Sequence, residues 1–410
     1  MRRNFLPFLV FALFITINSS QAAWVIRRPM RFARYGPMVA AVNNKLYVIG
    51  GLVNQTQSVS HVEEYNPVLD TWITKAPMPT ARAFGVCGVI NGKIYVIGGI
   101  RRSNVTVESC EVFDPVLNQW QRRRSLPTHR TGFNGSVIGD TVYVCGGYFT
   151  NSMTYTDTVE CYSASRDSWF IRSSMNSARV EFGATNALGK IYAIGGLFYS
   201  SYQSVNEVYN PANNSWQIRA NLPFARSGLV CATHGNRIYA IGGQRHGPPR
   251  IIYARVDIYN PDNDTWILGE SLNIARVYAG AATINNRIYV VGGLGPGNTP
   301  TSSLEEYFSL GIEDANTPPV FLPKLSVSPN PFQYQTTLRF SLPMEKNVLI
   351  QIYNNFGHLV KTIRAGNSSG TYIWDGTDEF HKHLPSGVYF AKVINVFNQT
   401  NPLIKFVILR

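Results

Sequence analysis

Along most of the chain, apolar and polar positions alternate in short runs, and each run ends at a turn signal. KLYVIGG, KIYVIGG, TVYVCGG, KIYAIGG and RIYVVGG each carry one run to a glycine pair, while NGK, NNR and NPVLDTW mark turns between runs. A period of two, bounded by Gly, Asn, Asp and Pro, predicts β-strands joined by tight turns. The runs themselves repeat. Glycine pairs stand at Gly50-Gly51, Gly98-Gly99, Gly146-Gly147, Gly195-Gly196, Gly242-Gly243 and Gly292-Gly293, 47 to 50 residues apart. Sixteen residues before each first glycine is an arginine: Arg34, Arg82, Arg130, Arg179, Arg226 and Arg276. Ten residues before each arginine is a tryptophan: Trp24, Trp72, Trp120, Trp169, Trp216 and Trp266. For the last five, an aromatic (Tyr65, Phe113, Tyr162, Tyr209, Tyr259) precedes the tryptophan by seven.

Each unit reads as four short strands: one after the arginine, one ending in Gly-Gly, one of EEY type and one with the tryptophan. Units of this size cannot bury their faces singly, so six of them are expected to stack around an axis as propeller blades. The sixth unit has its SLEEYFSL strand but no tryptophan after it. Trp24-Val25-Ile26, at the other end of the array, is the missing strand, and it predicts a ring closed by the N-terminus.

The double glycine, the tyrosine and the tryptophan at fixed spacing resemble the kelch repeat. The resemblance implies an all-β fold, a six-bladed kelch β-propeller over 23–310 closed by the N-terminal strand and followed by a small β-sandwich. Kelch propellers include interaction scaffolds, glycan-binding proteins and a few enzymes, so function is read from the site. Variable loops on a rigid scaffold are where binding is expected. Those after each Gly-Gly hold Arg101, Arg102, Tyr148, Tyr199, Arg245 and His246. The six repeat arginines are expected on the same face, either as a ring at the mouth of the channel or as joints between blades. Guanidinium forks suit carboxylates, phosphates and sulfates, and a net charge of +13 leans the same way. The expected partner is therefore a protein or an acidic glycan.

No HExxH, GxSxG, P-loop or CxxC pair occurs, so no metal, no cofactor and no catalytic set is assigned. His381 and His383 form a close pair in a hydrophilic turn and are read as solvated. The alternative to a binding module is a carbohydrate-active enzyme resembling the six-bladed periplasmic sialic-acid mutarotases, with Glu181 or Glu207 as a general acid beside an arginine. Copper-radical oxidases also use kelch-type propellers, but their Tyr/Cys/His constellation has no counterpart here.

After a Pro-containing linker at 311–323, residues 324–410 read as strands separated by turns. SPNPF, IYNNFGHLVKTI and WDGTDEFHKHLPSGVYFAKV resemble the type A sorting domains of the type IX secretion system and the related flagellar-hook-cap-type immunoglobulin-like domain. Asn330, Pro331, Gly357, Trp374, Gly376, Gly387 and Tyr389 are the marker positions. The resemblance implies an exported bacterial protein handled by secretion machinery and then released or held at the surface.

The first residues support export. Arg2 and Arg3, the apolar stretch Phe5 to Ile17 and the small-x-small site Ser20-Gln21-Ala22 read as a signal peptide over 1–22. The stretch is shorter than a bilayer-spanning helix, so no transmembrane span is expected in the mature chain. Charged residues make up only 15% and aromatics 12%, which excludes helical bundles and coiled coils. Without a nucleic-acid-binding motif, the positive charge does not imply nucleic acid. Five cysteines, Cys87, Cys110, Cys145, Cys161 and Cys231, are read mainly as buried thiols, with one disulfide open between Cys145 and Cys161.

Overall fold

A computed structural model describes residues 23–101, 105–245, 247, 250–308, 324–341, 348–365, 369–394 and 403–409. The signal segment 1–22, the linker 311–323 and the loop residues Arg102 and His246 lie outside the described residues. The chain divides into two compact units, Met1–Gly311 and Ile312–Arg410. Among the described residues no helix is long and apolar enough to cross a membrane.

The described part of the first unit contains six four-stranded antiparallel sheets. In one of them Met38–Val42, Lys45–Ile49, Val62–Asn66 and Thr71–Lys75 lie side by side in chain order. Asn43 and Asn44 turn the first strand into the second at φ 51° and 56°, a left-handed conformation that asparagine tolerates. The second strand is covered on both faces, with Leu46, Tyr47, Val48 and Ile49 at most 3% exposed. That explains its unbroken apolar run where a half-exposed strand would alternate.

At the outer edge Trp72 stands directly across from Tyr65. The same pairing recurs as Phe113 with Trp120, Tyr162 with Trp169, Tyr209 with Trp216 and Tyr259 with Trp266. Each indole N–H reaches out of its own sheet, to a carbonyl just past the fourth strand of the neighbouring one. Trp72 donates to Arg28, Trp120 to Ala76, Trp169 to Arg124, Trp216 to Ser173 and Trp266 to Ala220, all at 2.8–2.9 Å. The N–H of that same neighbour is accepted by a side chain two residues before the tryptophan: Asp70, Asn118, Asp167, Asn214 or Asp264. Two opposed hydrogen bonds thus clip each sheet to the one before it.

The sixth sheet has Gly280–Ile284, Arg287–Val291 and Leu304–Phe308, and its fourth strand is Ala23–Arg27. Trp24 pairs across with Tyr307, their ring centroids 5.1 Å apart, and its indole donates to Glu270. First strands neighbour one another from Met38–Val42 through Val86–Ile90, Asn134–Ile138, Gly183–Ala187, Val230–His234 and Gly280–Ile284, and the last neighbours the first.

All five cysteines are free thiols. Cys145 faces Val159 and Cys161 faces Tyr143, so the two open candidates sit out of register rather than opposite each other. Burial pushes the Cys87, Cys110, Cys145 and Cys231 thiols up to about 12.

The second unit packs a three-stranded sheet (Lys324–Ser328, Thr336–Ser341, Ser369–Trp374) and a four-stranded one (Leu359–Ala365, Val348–Asn354, Gly387–Ile394, Leu403–Ile408) around Leu338, Ile350, Ile352, Trp374 and Phe406. Its marker residues hold turns and core. Asn330 accepts from the Val407 N–H and donates to the Lys405 carbonyl, tying the first loop to the last strand. Trp374 is buried and donates to Thr377, while Asp375 accepts both the N–H and the hydroxyl of Thr377. Gly376 makes that turn possible at φ 75°.

Candidate functional site

The six repeat arginines are not exposed at a channel mouth. Every guanidinium is 0–1% exposed and pairs with a carboxylate on the third strand of its own sheet. Arg34 meets Glu63 at 2.9 Å, Arg82 meets Glu111 at 2.5 Å, Arg130 meets Glu160 at 2.7 Å, Arg179 meets Glu207 at 2.9 Å, Arg226 meets Asp257 at 2.8 Å and Arg276 meets Glu305 at 2.5 Å. Glu207, a candidate general acid from the sequence, is spent in this way. Burial pulls all six guanidinium groups below their usual value against the pull of the carboxylates, Arg179 to about 10. Their backbone is a joint as well. The carbonyls of Arg82, Arg179, Arg226, Arg276 and Arg34 accept the N–H of Gly51, Gly147, Gly196, Gly243 and Gly293 from the neighbouring sheet. A Cβ on Gly50 would stand 2.3 Å from the Arg82 carbonyl oxygen, so arginine and glycine pair are two sides of one contact.

Two residues past each arginine the chain enters the left-handed region. Gly36, Phe84, Gly132, Glu181, Gly228 and Tyr278 have φ between 53° and 67°. Their main chains bond to one another in sequence around the mouth: Phe84 N–H to Gly36, Glu181 to Gly132, Gly228 to Glu181, Tyr278 to Gly228 and Gly36 to Tyr278, at 2.8–3.0 Å. Glycine alternates with a large residue because there is no room for two large ones. A Cβ on Gly36 would lie 2.7 Å from the Phe84 ring, and one on Gly228 2.3 Å from Val277. Left-handed backbone costs a non-glycine residue about 1–2 kcal/mol, and such strain persists where the surroundings over-determine the position, as functional sites do.

Inside the ring is a cavity of about 170 Å³ lined by Phe84, Phe133, Glu181, Phe182 and Tyr278 with the first strands. Among the described residues Glu181 is the one carboxylate in its lining, and no described Lys, Arg or His side chain lines it. Ser227 Oγ donates to Glu181 Oε2 at 3.0 Å. Gln244 Nε2 donates to the Tyr278 hydroxyl at 2.9 Å, while Arg250 donates to Gln244 Oε1 and Asn298 Oδ1. Burial, then the Glu181 charge, holds the Tyr278 phenol well above its ordinary value.

The loops around the mouth are uneven. Tyr148 and Tyr199 come together through Tyr155, whose ring lies 5.4 Å from Tyr148, 4.8 Å from Tyr199 and 5.3 Å from Phe198. Tyr199 is 64% exposed. Burial raises the Tyr155 phenol, and the charge of Glu181 raises it further. Arg245 instead lies over Phe224 at 5.7 Å, and Arg101 is exposed on a two-residue strand. Among the described residues no group of three or more His, Cys, Asp or Glu is arranged to hold a metal. Sequence reasoning missed Phe84, Tyr155 and Tyr278. For Phe84 and Tyr278 the available signal was position, two past the repeat arginine. It also missed the buried acids, although each stands two residues before its strand's aromatic in all six units.

Comparison with known proteins agrees with this architecture. Residues 13–196 match the KLHDC2/KLHL20/DRC7 Kelch-repeats domain, and 178–223, 225–273 and 275–307 match the Kelch motif. The first unit is a kelch-repeat domain. A solved structure titled "Structure of YjhT" superposes on the kelch chain with a TM-score of 0.61 at 15% identity, covering 68% of this chain and 95% of that one. At that identity the likeness is one of fold, an all-β propeller. Residues 333–396 match the FlgD Ig-like domain, so the kelch unit is followed by an immunoglobulin-like one. No curated protein matches the chain significantly.

Proposed function

We propose that this chain is an exported six-bladed kelch propeller, closed by Ala23–Arg27, that binds a protein or a sugar at the mouth of its central channel. The observation that carries the reading is Glu181. It is a carboxylate held in strained left-handed backbone at the rim of a cavity, with an aromatic cluster in the loops around the mouth. A concave site with a few converging polar groups is the default place for ligand on a scaffold of this kind. The buried and neutralised arginines give no reason to prefer an acidic ligand, and the charged side chain among the described residues lining the cavity, Glu181, is negative. The immunoglobulin-like unit serves secretion or surface sorting in this reading. Its SPNPF and WDG residues tie turns and core within that unit.

Ligand-observed NMR on the full chain, with neutral sugars, sialic acid, uronic acids and short peptides, tests the mouth. Binding that Glu181→Gln abolishes supports the reading, and binding indifferent to Glu181 removes it. A reporter fused to 319–410 that stays behind in a secretion-competent host removes the sorting role.

One observation favours a second reading, a carbohydrate-active enzyme of the mutarotase type. Glu181 and Tyr278 line the same cavity and the carboxylate's charge raises the phenol, one group able to accept a proton and the other to donate one, as opening of a sugar ring requires. Accelerated exchange between anomers in the same NMR samples, lost in Glu181→Gln and Tyr278→Phe, would establish it.

A further inference from the structure

From the lining of the channel we infer that the mouth receives an organic cation with an apolar stem, the lysine or arginine side chain of a partner protein. This rests on the reading of the mouth as the ligand site. Among the described residues that line the cavity one side chain is charged, and it is negative: Glu181. Its hydrogen-bond partner Ser227 is a neutral hydroxyl, and every ion pair among the described residues uses a different carboxylate. One hydroxyl donor leaves lone pairs on a carboxylate that has about four acceptor positions. A charge so placed, at the edge of a space walled by Phe84, Phe133, Phe182 and Tyr278, attracts a counter-ion more strongly than it would in open water.

The walls suit that counter-ion. Phe84 and Tyr278 meet edge to face, 5.3 Å between centroids and 87° between planes, from opposite sides of Gly36 in the rim. Aromatic faces attract ammonium and guanidinium groups, and their apolar surface accepts the methylene stem. Arg250, whose charge reaches Tyr278, makes no ion pair with Glu181. Arg250 directs its Nε and Nη donors to Gln244 Oε1 and Asn298 Oδ1. Outside the channel, Tyr155 and the exposed Tyr199 offer further ring surface for the backbone that carries the cation. An anionic sugar would meet Glu181 as a like charge, which is the opposite of what an exposed arginine ring would have selected.

The test is isothermal titration of the full chain with the peptides Ac-Gly-Arg-Gly-NH2, Ac-Gly-Lys-Gly-NH2 and the uncharged isostere Ac-Gly-citrulline-Gly-NH2, and with free agmatine and cadaverine. The expected result is binding of a charged peptide at least tenfold tighter than the citrulline peptide, weakened by added salt, lost in Glu181→Gln and partly kept in Glu181→Asp, with melting temperatures unchanged. Free amines binding as well as peptides would place the recognition in the cation alone rather than in a protein segment and overturn the protein-partner half. Equal binding of the citrulline peptide, or no effect of Glu181→Gln, overturns the cation itself. If neutral sugars bind at the mouth and no peptide does, the cation inference falls while the mouth stays a ligand site. If nothing tested binds there, both fall.

Discussion

The indole of Trp24 donates to the main-chain carbonyl of Glu270 at 2.8 Å, joining residues 246 positions apart. Five other tryptophans make the same contact to a neighbour a short distance back along the chain, and this one makes it across the seam between the first and last sheets. Trp24 is 7% exposed, so replacing it removes a large buried ring together with a clip. Trp24→Ala is expected to destabilise the kelch unit by about 3–5 kcal/mol, and deletion of 24–29 by more. Urea unfolding followed by tryptophan fluorescence measures it. A midpoint equal to that of the unaltered chain would show that the seam does not depend on this strand.

The buried arginines carry a second expectation. Removing one partner of a buried pair leaves an uncompensated charge and costs about 3–5 kcal/mol, whereas replacing both by apolar residues is often near neutral. Arg34→Met alone is expected to lower stability strongly, and Arg34→Met with Glu63→Leu to recover most of the loss. Ligand affinity of the double variant stays at the unaltered level. A double variant that is stable but no longer binds would return the arginines to the ligand site.

These pairs show where the sequence was legible and where it was not. Glycine pairs and tryptophans repeat as letters at fixed spacing, so the strand plan of the sheets and the strand borrowed from the N-terminus could be read directly. The arginines repeat as letters too, but their burial depends on an acid on another strand, Glu63 for Arg34 and Asp257 for Arg226. A lone acid in an EEY strand looks like any half-exposed position until the strands are side by side. The mouth was less legible still. Gly36, Phe84, Gly132, Glu181, Gly228 and Tyr278 share a backbone conformation and no side chain, so only their offset from the arginine marks them. In the C-terminal unit, Asn330 and Trp374 stood out as motif residues, while their partners Val407 and Thr377 come from the fold.

The thiols give a pH dependence with a definite sign. Four cysteines have their pKa raised from about 9 to about 12 by burial. Between those values the unfolded chain has lost thiol protons that the folded chain keeps. Stability is therefore full below pH 9 and falls as pH rises towards 12. The native protein is expected to leave Cys110, Cys145 and Cys231 unreacted with a thiol reagent at pH 8 and to release all five on unfolding. Rapid labelling of the native chain at pH 8 would contradict the packing of the sheets.

The aromatic cluster of Tyr148, Tyr155 and Tyr199 bears on binding and not on folding. Tyr199 is largely exposed, so Tyr199→Ala is expected to leave the melting temperature within a degree or two while weakening ligand about tenfold, the size typical of an aromatic anchor at an interface. Arg101→Ala, in a different loop, is expected to change neither. Equal losses in both variants would mean that binding follows general surface charge or loop order.

The most direct test compares saturation transfer from the full chain to a bound probe for the unaltered protein, Glu181→Gln and Arg101→Ala. The expected result is a signal that disappears in Glu181→Gln alone, with all three melting at the same temperature. A signal that survives in Glu181→Gln would contradict the assignment of function to the channel mouth.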